Sequence, residues 1–206
     1  MPPTDPDEQL ARFASLVRRS PHNLVSASAA RELESRHIPE ARALAHMLPS
    51  GPPVTRLLDV GSGGGLPGLV IALERPDLEV HLLDSRGKKT AFLRETAADL
   101  GIAVQVHTGR AEDLANGDLQ ASFHVVTARA VAPLARLLGW TLPFLEVGGL
   151  LYAVKGERWE EELADAVPAL RREQGRVVAT PDDIDQATPT APRVVIVGKD
   201  APDRRR

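Results

Sequence analysis

The sequence predicts an α/β fold, a mainly parallel seven-stranded sheet with flanking helices, preceded by an N-terminal helical cap. Three observations predict it. From Thr55 onward short apolar runs alternate with helical segments. The first of those runs leads straight into a glycine-rich turn, and the stretch before it keeps only helical spacing.

Within residues 8–48, Leu10, Phe13, Leu16 and Val17 recur at helical spacing, as do Leu44, Met47 and Leu48. Pro49-Ser50-Gly51-Pro52-Pro53 is a turn cluster. The cap is therefore assigned to residues 1–53 and the main domain to 54–200. Strands are expected at 55–60, 79–84, 102–107, 123–128 and 149–155, with helices at 66–75, 87–100 and 133–145 between them. A Glu-rich helix over 157–173 follows, and apolar runs at 176–180 and 193–198 are placed to close the sheet as a hairpin. Residues 201–206, ending in Arg204-Arg205-Arg206, are expected to form a loose tail.

Composition excludes several classes. At 206 residues the chain suits one α/β domain with a full core. It is 43% hydrophobic and 26% charged, with no apolar run near the roughly 20 residues of a membrane helix. The start, Met1-Pro2-Pro3-Thr4-Asp5-Pro6-Asp7-Glu8, lacks the basic and apolar blocks of a secretion signal, so a cytoplasmic protein is expected. Without cysteine there are no disulfides, thiolate nucleophiles or Cys-ligated zinc, and the six histidines show no ligand spacing, so no metal is expected. A net charge of −3 and a pI near 6.1 argue against non-specific coating of nucleic acid. With four Phe, two Trp and one Tyr, any nucleic-acid contact must rest on Arg and Lys rather than on stacking.

The run ending at Asp59 enters Val60-Gly61-Ser62-Gly63-Gly64-Gly65, and Gly63 to Gly68 also satisfies G-x-G-x-x-G. Glycines at such a turn let backbone approach a nucleotide next to a helix N-terminus. Two cofactors compete for this pattern. A dinucleotide needs an apolar strand end, because an acid two residues before Gly61 repels its pyrophosphate. S-adenosylmethionine has no phosphate and carries an ammonium and a sulfonium, so Asp59 would lie near opposite charge. That favours a Rossmann-like class I S-adenosylmethionine-dependent methyltransferase over a NAD-binding oxidoreductase. The bland alternative for Asp59 is a carboxylate that only satisfies loop N–H groups.

Gly61, Gly63 and Gly65 are thus cofactor-loop candidates. Asp84, ending the second strand, is a candidate for the ribose hydroxyls or, failing that, a helix cap. Gly109-Arg110-Ala111-Glu112-Asp113 follows the third strand, where the adenine should sit; an acidic first helical turn would explain Glu112 and Asp113 equally. Arg86, Lys88 and Lys89 crowd a helix start, unfavourable for cations unless an external anion offsets it. With Lys155 and Arg158 they would form a phosphate-binding rim, extended by Arg193 and Lys199 around the last apolar run. Solvated surface lysines are the alternative.

Several segments in order resemble the bacterial RsmG (GidB) family of 16S ribosomal RNA guanine-N7 methyltransferases. They are Asn23-Leu24-Val25-Ser26, Arg36-His37-Ile38, Asp59 to Gly68, Lys88-Lys89 with Phe92-Leu93, Gly109 to Glu112, Ala128 to Ala132 and Lys155-Gly156. The resemblance covers roughly residues 20–165. It implies N7 methylation of guanine 527 in the 530 loop of 16S rRNA within the small ribosomal subunit. It also implies cofactor contacts at Gly61, Leu66, Ala111, Glu112 and Arg129, and an RNA-facing cap carrying Arg36 and His37. A His or Asn satisfied within the cap is the alternative. The chain departs from the family at Ile38-Pro39-Glu40-Ala41, where an Asp-Ser pair is usual, and its cap is short.

Guanine N7 carries a free lone pair, so in-line methyl transfer needs no general base, only alignment. Arg129, at the end of the fourth strand, is the candidate catalytic residue, orienting cofactor or base through its donor fork. A phosphate anchor or surface ion pair is its alternative. A monomer is expected, and a small-molecule methyltransferase is the second reading.

Overall fold

The computed structural model describes residues 5–22, 24, 26–50, 55–184 and 190–201. The cap contains α1 (Pro6–Arg19), α2 (Ala27–Arg31) and, after a π turn at Leu33–His37, α3 (Ile38–Met47). The alternating part runs β1 (Arg56–Val60), α4 (Gly68–Glu74), β2 (Glu79–Asp84), α5 (Gly87–Leu100), β3 (Gln105–Thr108) and α6 (Ala111–Leu114). It continues β4 (Phe123–Arg129), α7 (Leu134–Thr141), β5 (Leu145–Val154), α8 (Trp159–Asp165), α9 (Val167–Arg172), β6 (Gly175–Ala179) and β7 (Val194–Lys199).

The seven strands form one sheet in the order β3-β2-β1-β4-β5-β7-β6. β1 pairs in parallel with both β2 and β4, β2 with β3, and β4 with β5, whereas β7 runs antiparallel between β5 and β6. The strand order reverses between β1 and β4, and the loops at their carboxyl ends therefore splay apart into a crevice. Because side chains alternate along a strand, Leu57 and Leu58 enter different apolar clusters on the two faces. One face packs Leu57, Leu82, Leu69 and Leu93 together with cap residues Leu10, Phe13, Leu33 and Leu44. The cap thus shares a core with the sheet. The proposed boundary at residue 53, Asn23 and most of the tail fall outside the described residues.

Where element boundaries depart from expectation, the cause is local. β3 begins at Gln105 rather than 102, because Gly101 (φ 69°) closes α5 and Ile102 N still donates to Ala97 O. β5 starts at Leu145, four residues early, and its register slips between Phe123 and Val125 opposite Gly148 and Gly149. The helix expected over 157–173 is two helices, since Pro168 has no N–H to continue the ladder and starts α9. Pro143 likewise turns the end of α7 into a 3₁₀ turn at Leu142–Phe144. Among the described residues no helix is long and apolar enough to cross a membrane.

Gly68 opens α4 where helix, sheet and turn converge. A Cβ there would lie 2.3 Å from Leu82 Cδ2 and 2.7 Å from Asp59 Oδ2. Gly68→Ala is therefore expected to lower stability by about 1–3 kcal/mol, read as a lower urea midpoint at unchanged slope. A midpoint equal to that of the unaltered protein would show that the packing around Asp59 is looser than described.

Candidate active site

The turn after β1 is tied to β2 by backbone. Gly61 N and Ser62 N both donate to Leu83 O, at 2.8 and 3.0 Å, while Ser62 Oγ donates to Asp59 O and accepts from Leu83 N. Gly61 (φ 77°) and Gly65 (φ 96°) take left-handed conformations that make glycine the fitting residue. Gly65 is buried against Leu69 and Phe13, so it shapes the turn rather than the crevice. Leu66 also turns inward and packs on the cap-side core.

Asp59 is fully buried beneath this turn and does not line the crevice. Its Oδ2 accepts from Gly68 N at 3.1 Å and its Oδ1 from the Thr127 hydroxyl at 2.9 Å. The expectation that it faces the cofactor's charges is corrected here: it fills the N-terminus of α4 from inside. The same contact places a carboxylate at the first N–H of α4, where an anion docked at that helix start would meet it. Burial pushes the Asp59 pKa up to about 6, against the opposing pull of Thr127, Ser62, Gly68 and Arg129.

A crevice of about 320 Å³ opens at the carboxyl ends of β1, β2 and β4. Gly61, Asp84, Ala111 and Glu112 line it, as does Trp140, which carries no sequence signal of a site. Asp84 is mostly buried; its Oδ2 accepts from Gly63 N at 3.0 Å and its Oδ1 from Arg86 N at 2.9 Å. It therefore both pins the loop and presents a carboxylate to the crevice. Arg86 and Lys89 also line this space, and Lys89 Nζ stands 4.0 Å from Asp84 Oδ2.

A second cavity, about 440 Å³, adjoins the first and shares Ala130 and Val131 as its wall. Ala130 holds φ 51°, an uncommon conformation for a residue with a Cβ, and Val131 packs where a Gly61 side chain would be. Arg129, largely buried, stands at this wall. Its Nη2 donates to His37 Nδ1 and lies 3.5 Å from Glu40 Oε2, while its buried Nη1 has no hydrogen-bond partner among the described residues. A guanidinium has no acceptor, so His37 receives this bond as a neutral imidazole. Burial and the neighbouring Arg129 push the His37 pKa down, against Glu40. The cap thus reaches the site through His37 and Glu40, and Glu40 was missed because at that position the family pattern lapses.

The cations expected to form a rim are placed differently from one another. Arg36 and Arg193 are exposed and line the second cavity, although Arg36 is also paired with Glu32 and Glu40. Lys155 lines it too, but its ammonium is buried, 2.6 Å from Glu162 Oε2 and donating to Ala132 O at 3.0 Å. Lys155 is therefore corrected from a phosphate contact to an internal tie. Lys88 lies in a separate groove between α1 and α5, and Arg158 is exposed at the start of α8 without lining either cavity. Lys199 is the clearest correction. β7 is antiparallel, so Val194 pairs with the crevice end of β5 while Lys199 sits at the opposite end, donating to Glu173 O.

The Asp59 shift has a testable consequence. A folded pKa above the ordinary 3.8 means that Asp59 favours the folded chain most at low pH, and that this contribution is lost as the pH rises through about 6. Asp59→Asn cannot ionise and keeps whatever stability it has. In paired thermal melts the wild type should lose ground to the variant between pH 3.8 and about 6 and hold a constant difference above that. A difference that is flat across this window would contradict the burial.

Comparison with known proteins agrees with this architecture. A protein of Halorhodospira halophila named ribosomal RNA small subunit methyltransferase G is 48% identical over 166 residues, covering 79% of this chain and 76% of that one. The same-named protein of Sorangium cellulosum is 42% identical over 185 residues, covering 89% and 75%. A TehB-like S-adenosylmethionine-dependent methyltransferase structure from Corynebacterium glutamicum shares the fold, with a TM-score of 0.62 at 16% identity over 84% of this chain and 95% of that one. Residues 7–186 match the family described as rRNA small subunit methyltransferase G, and with that extent of agreement the chain belongs to the GidB family.

Proposed function

We propose that this chain methylates N7 of guanine 527 in the 530 loop of 16S rRNA, acting as a cytoplasmic monomer. As a member of its family it is an S-adenosylmethionine-dependent methyltransferase of small-subunit rRNA. The observation that carries the finer reading is the pair of cavities that meet at Ala130 and Val131, with Arg129 at the junction.

The first cavity fits the cofactor by its own chemistry. Asp84 offers carboxylate oxygens for ribose hydroxyls, Leu83, Ala111 and Trp140 offer apolar surface for a flat ring, and Glu112 stands at the rim. The bare backbone of Gly61 and Val60 completes the floor. Asp59 acts one step removed, holding the turn. S-adenosylmethionine supplies a methyl group already activated on a sulfonium.

The second cavity receives the base. N7 attacks with its own lone pair, so no residue need remove a proton, and the protein's contribution is to align base and methyl donor across the shared wall. Arg129 is fixed from the cap by His37 and Glu40, which suits it to orienting one partner rather than to acid–base work. Arg36, Arg86 and Arg193 surround the openings and can meet phosphates; Lys155 and Lys199 cannot, being tied down.

Labelled methyl transfer to 30S subunits lacking the modification tests the reading. Label is expected at N7 of guanine 527, and label at any other atom or none would overturn it. For the rim, Arg193→Ala should reduce the slope of log affinity against log salt by roughly 0.7 for a single-stranded contact, whereas Lys199→Ala leaves it unchanged. Equal effects of the two changes would refute the revised rim.

A further inference from the structure

The second cavity holds two carboxylates, Glu40 and Glu162, and they are engaged differently. Both oxygens of Glu40 face cations or rings: Oε1 takes the Arg36 Nε donor at 2.8 Å, and Oε2 lies near His37 Nδ1 and Arg129 Nη2. Glu162 is held through one oxygen alone. Its Oε2 receives Lys155 Nζ at 2.6 Å and Leu134 N at 2.9 Å, while Oε1 has no partner among the described residues. The side chain remains 28% exposed. A cavity-lining carboxylate clamped between the end of β5 and the start of α7, with one oxygen unpaired among the described residues, is a preorganised hydrogen-bond acceptor.

We infer that Glu162 reads the acceptor base, its Oε1 accepting from guanine N1–H and the 2-amino group. The inference rests on the guanine-N7 reading above. On a purine, N7 and the N1–H and 2-amino edge lie on opposite sides, so a base that turns N7 to the Ala130–Val131 wall presents its donors to the rest of the cavity. Adenine has an acceptor at N1 and no 2-amino group, and would leave Oε1 facing a lone pair. Methylation also transfers the sulfonium charge to the base, making its N–H groups stronger donors. The bond to Glu162 therefore tightens as the methyl moves, and it contributes to rate as well as to selection.

The test uses the full chain and 30S subunits reconstituted with guanosine or inosine at the acceptor position, inosine differing only by the missing 2-amino group. The unaltered enzyme is expected to prefer guanosine by about tenfold or more in kcat/KM, the range for one hydrogen bond to a charged group. Glu162→Ala should lower transfer to guanosine and bring the ratio near one. A ratio unchanged in Glu162→Ala, or no preference in the unaltered enzyme, would overturn the assignment. Because Glu162 also caps α7, Glu162→Gln provides a second arm that conserves shape. Its amide oxygen can retain Leu134 N and Lys155 while its NH₂ faces the base donors. Guanosine transfer should then fall at least about tenfold with S-adenosylmethionine affinity, by calorimetry, held within about twofold; full guanosine transfer would overturn the inference. Failure of the guanine-N7 reading itself would appear separately, as absence of N7 product with the unaltered enzyme.

Discussion

The arrangement depends on one buried carboxylate. Asp59, one residue before the end of β1, joins three elements: its own strand, the N-terminus of α4 through Gly68 N, and β4 through Thr127. Burying a charge at the middle of a sheet is costly unless donors meet it, and here two of them do. Because Gly68 has no side chain, the carboxylate reaches the helix backbone directly, and the turn from Gly61 to Gly65 is drawn tight above it. Loss of that contact would release the turn that floors the crevice, even though Asp59 does not line it.

Charge pairing around the two cavities follows a common pattern. Each cation that sequence reasoning marks as free for phosphate meets a test of burial and geometry. Lys155 is drawn inward because Glu162, a full helical turn into α8, arrives beside it. Among the described residues Arg193 has no such pairing, and it remains at the opening. An antiparallel strand accounts for the difference between Arg193 and Lys199, since it brings its own beginning to the end of the sheet where parallel neighbours finish.

Much of this fold is legible in the sequence, because alternating apolar runs and glycine turns are local signals. The strands, the glycine turn and the placement of Asp84, Ala111 and Glu112 on one crevice follow from them. What local signals miss is pairing at a distance. The inward direction of Asp59 and the clamp of His37 and Glu40 on Arg129 join residues far apart in the chain. Trp140 was equally unreadable, since an indole on an apolar helix face looks like core until the helix is placed. Breaks at Pro143 and Pro168 were available as local signals and account for the helix boundaries missed there.

The wall of Ala130 and Val131 belongs to both cavities, and Val131 rests on the backbone of Gly61. Occupants of the two cavities therefore act on a common two-residue segment whose first residue, Ala130, holds an unusual backbone conformation. Thermodynamic linkage makes such an arrangement reciprocal: if one ligand shifts that segment so as to favour the other, the second must favour the first by the same factor. Two occupants of these cavities then cannot be treated as independent loads on the protein, and the affinity of either has meaning only with the occupancy of the other stated.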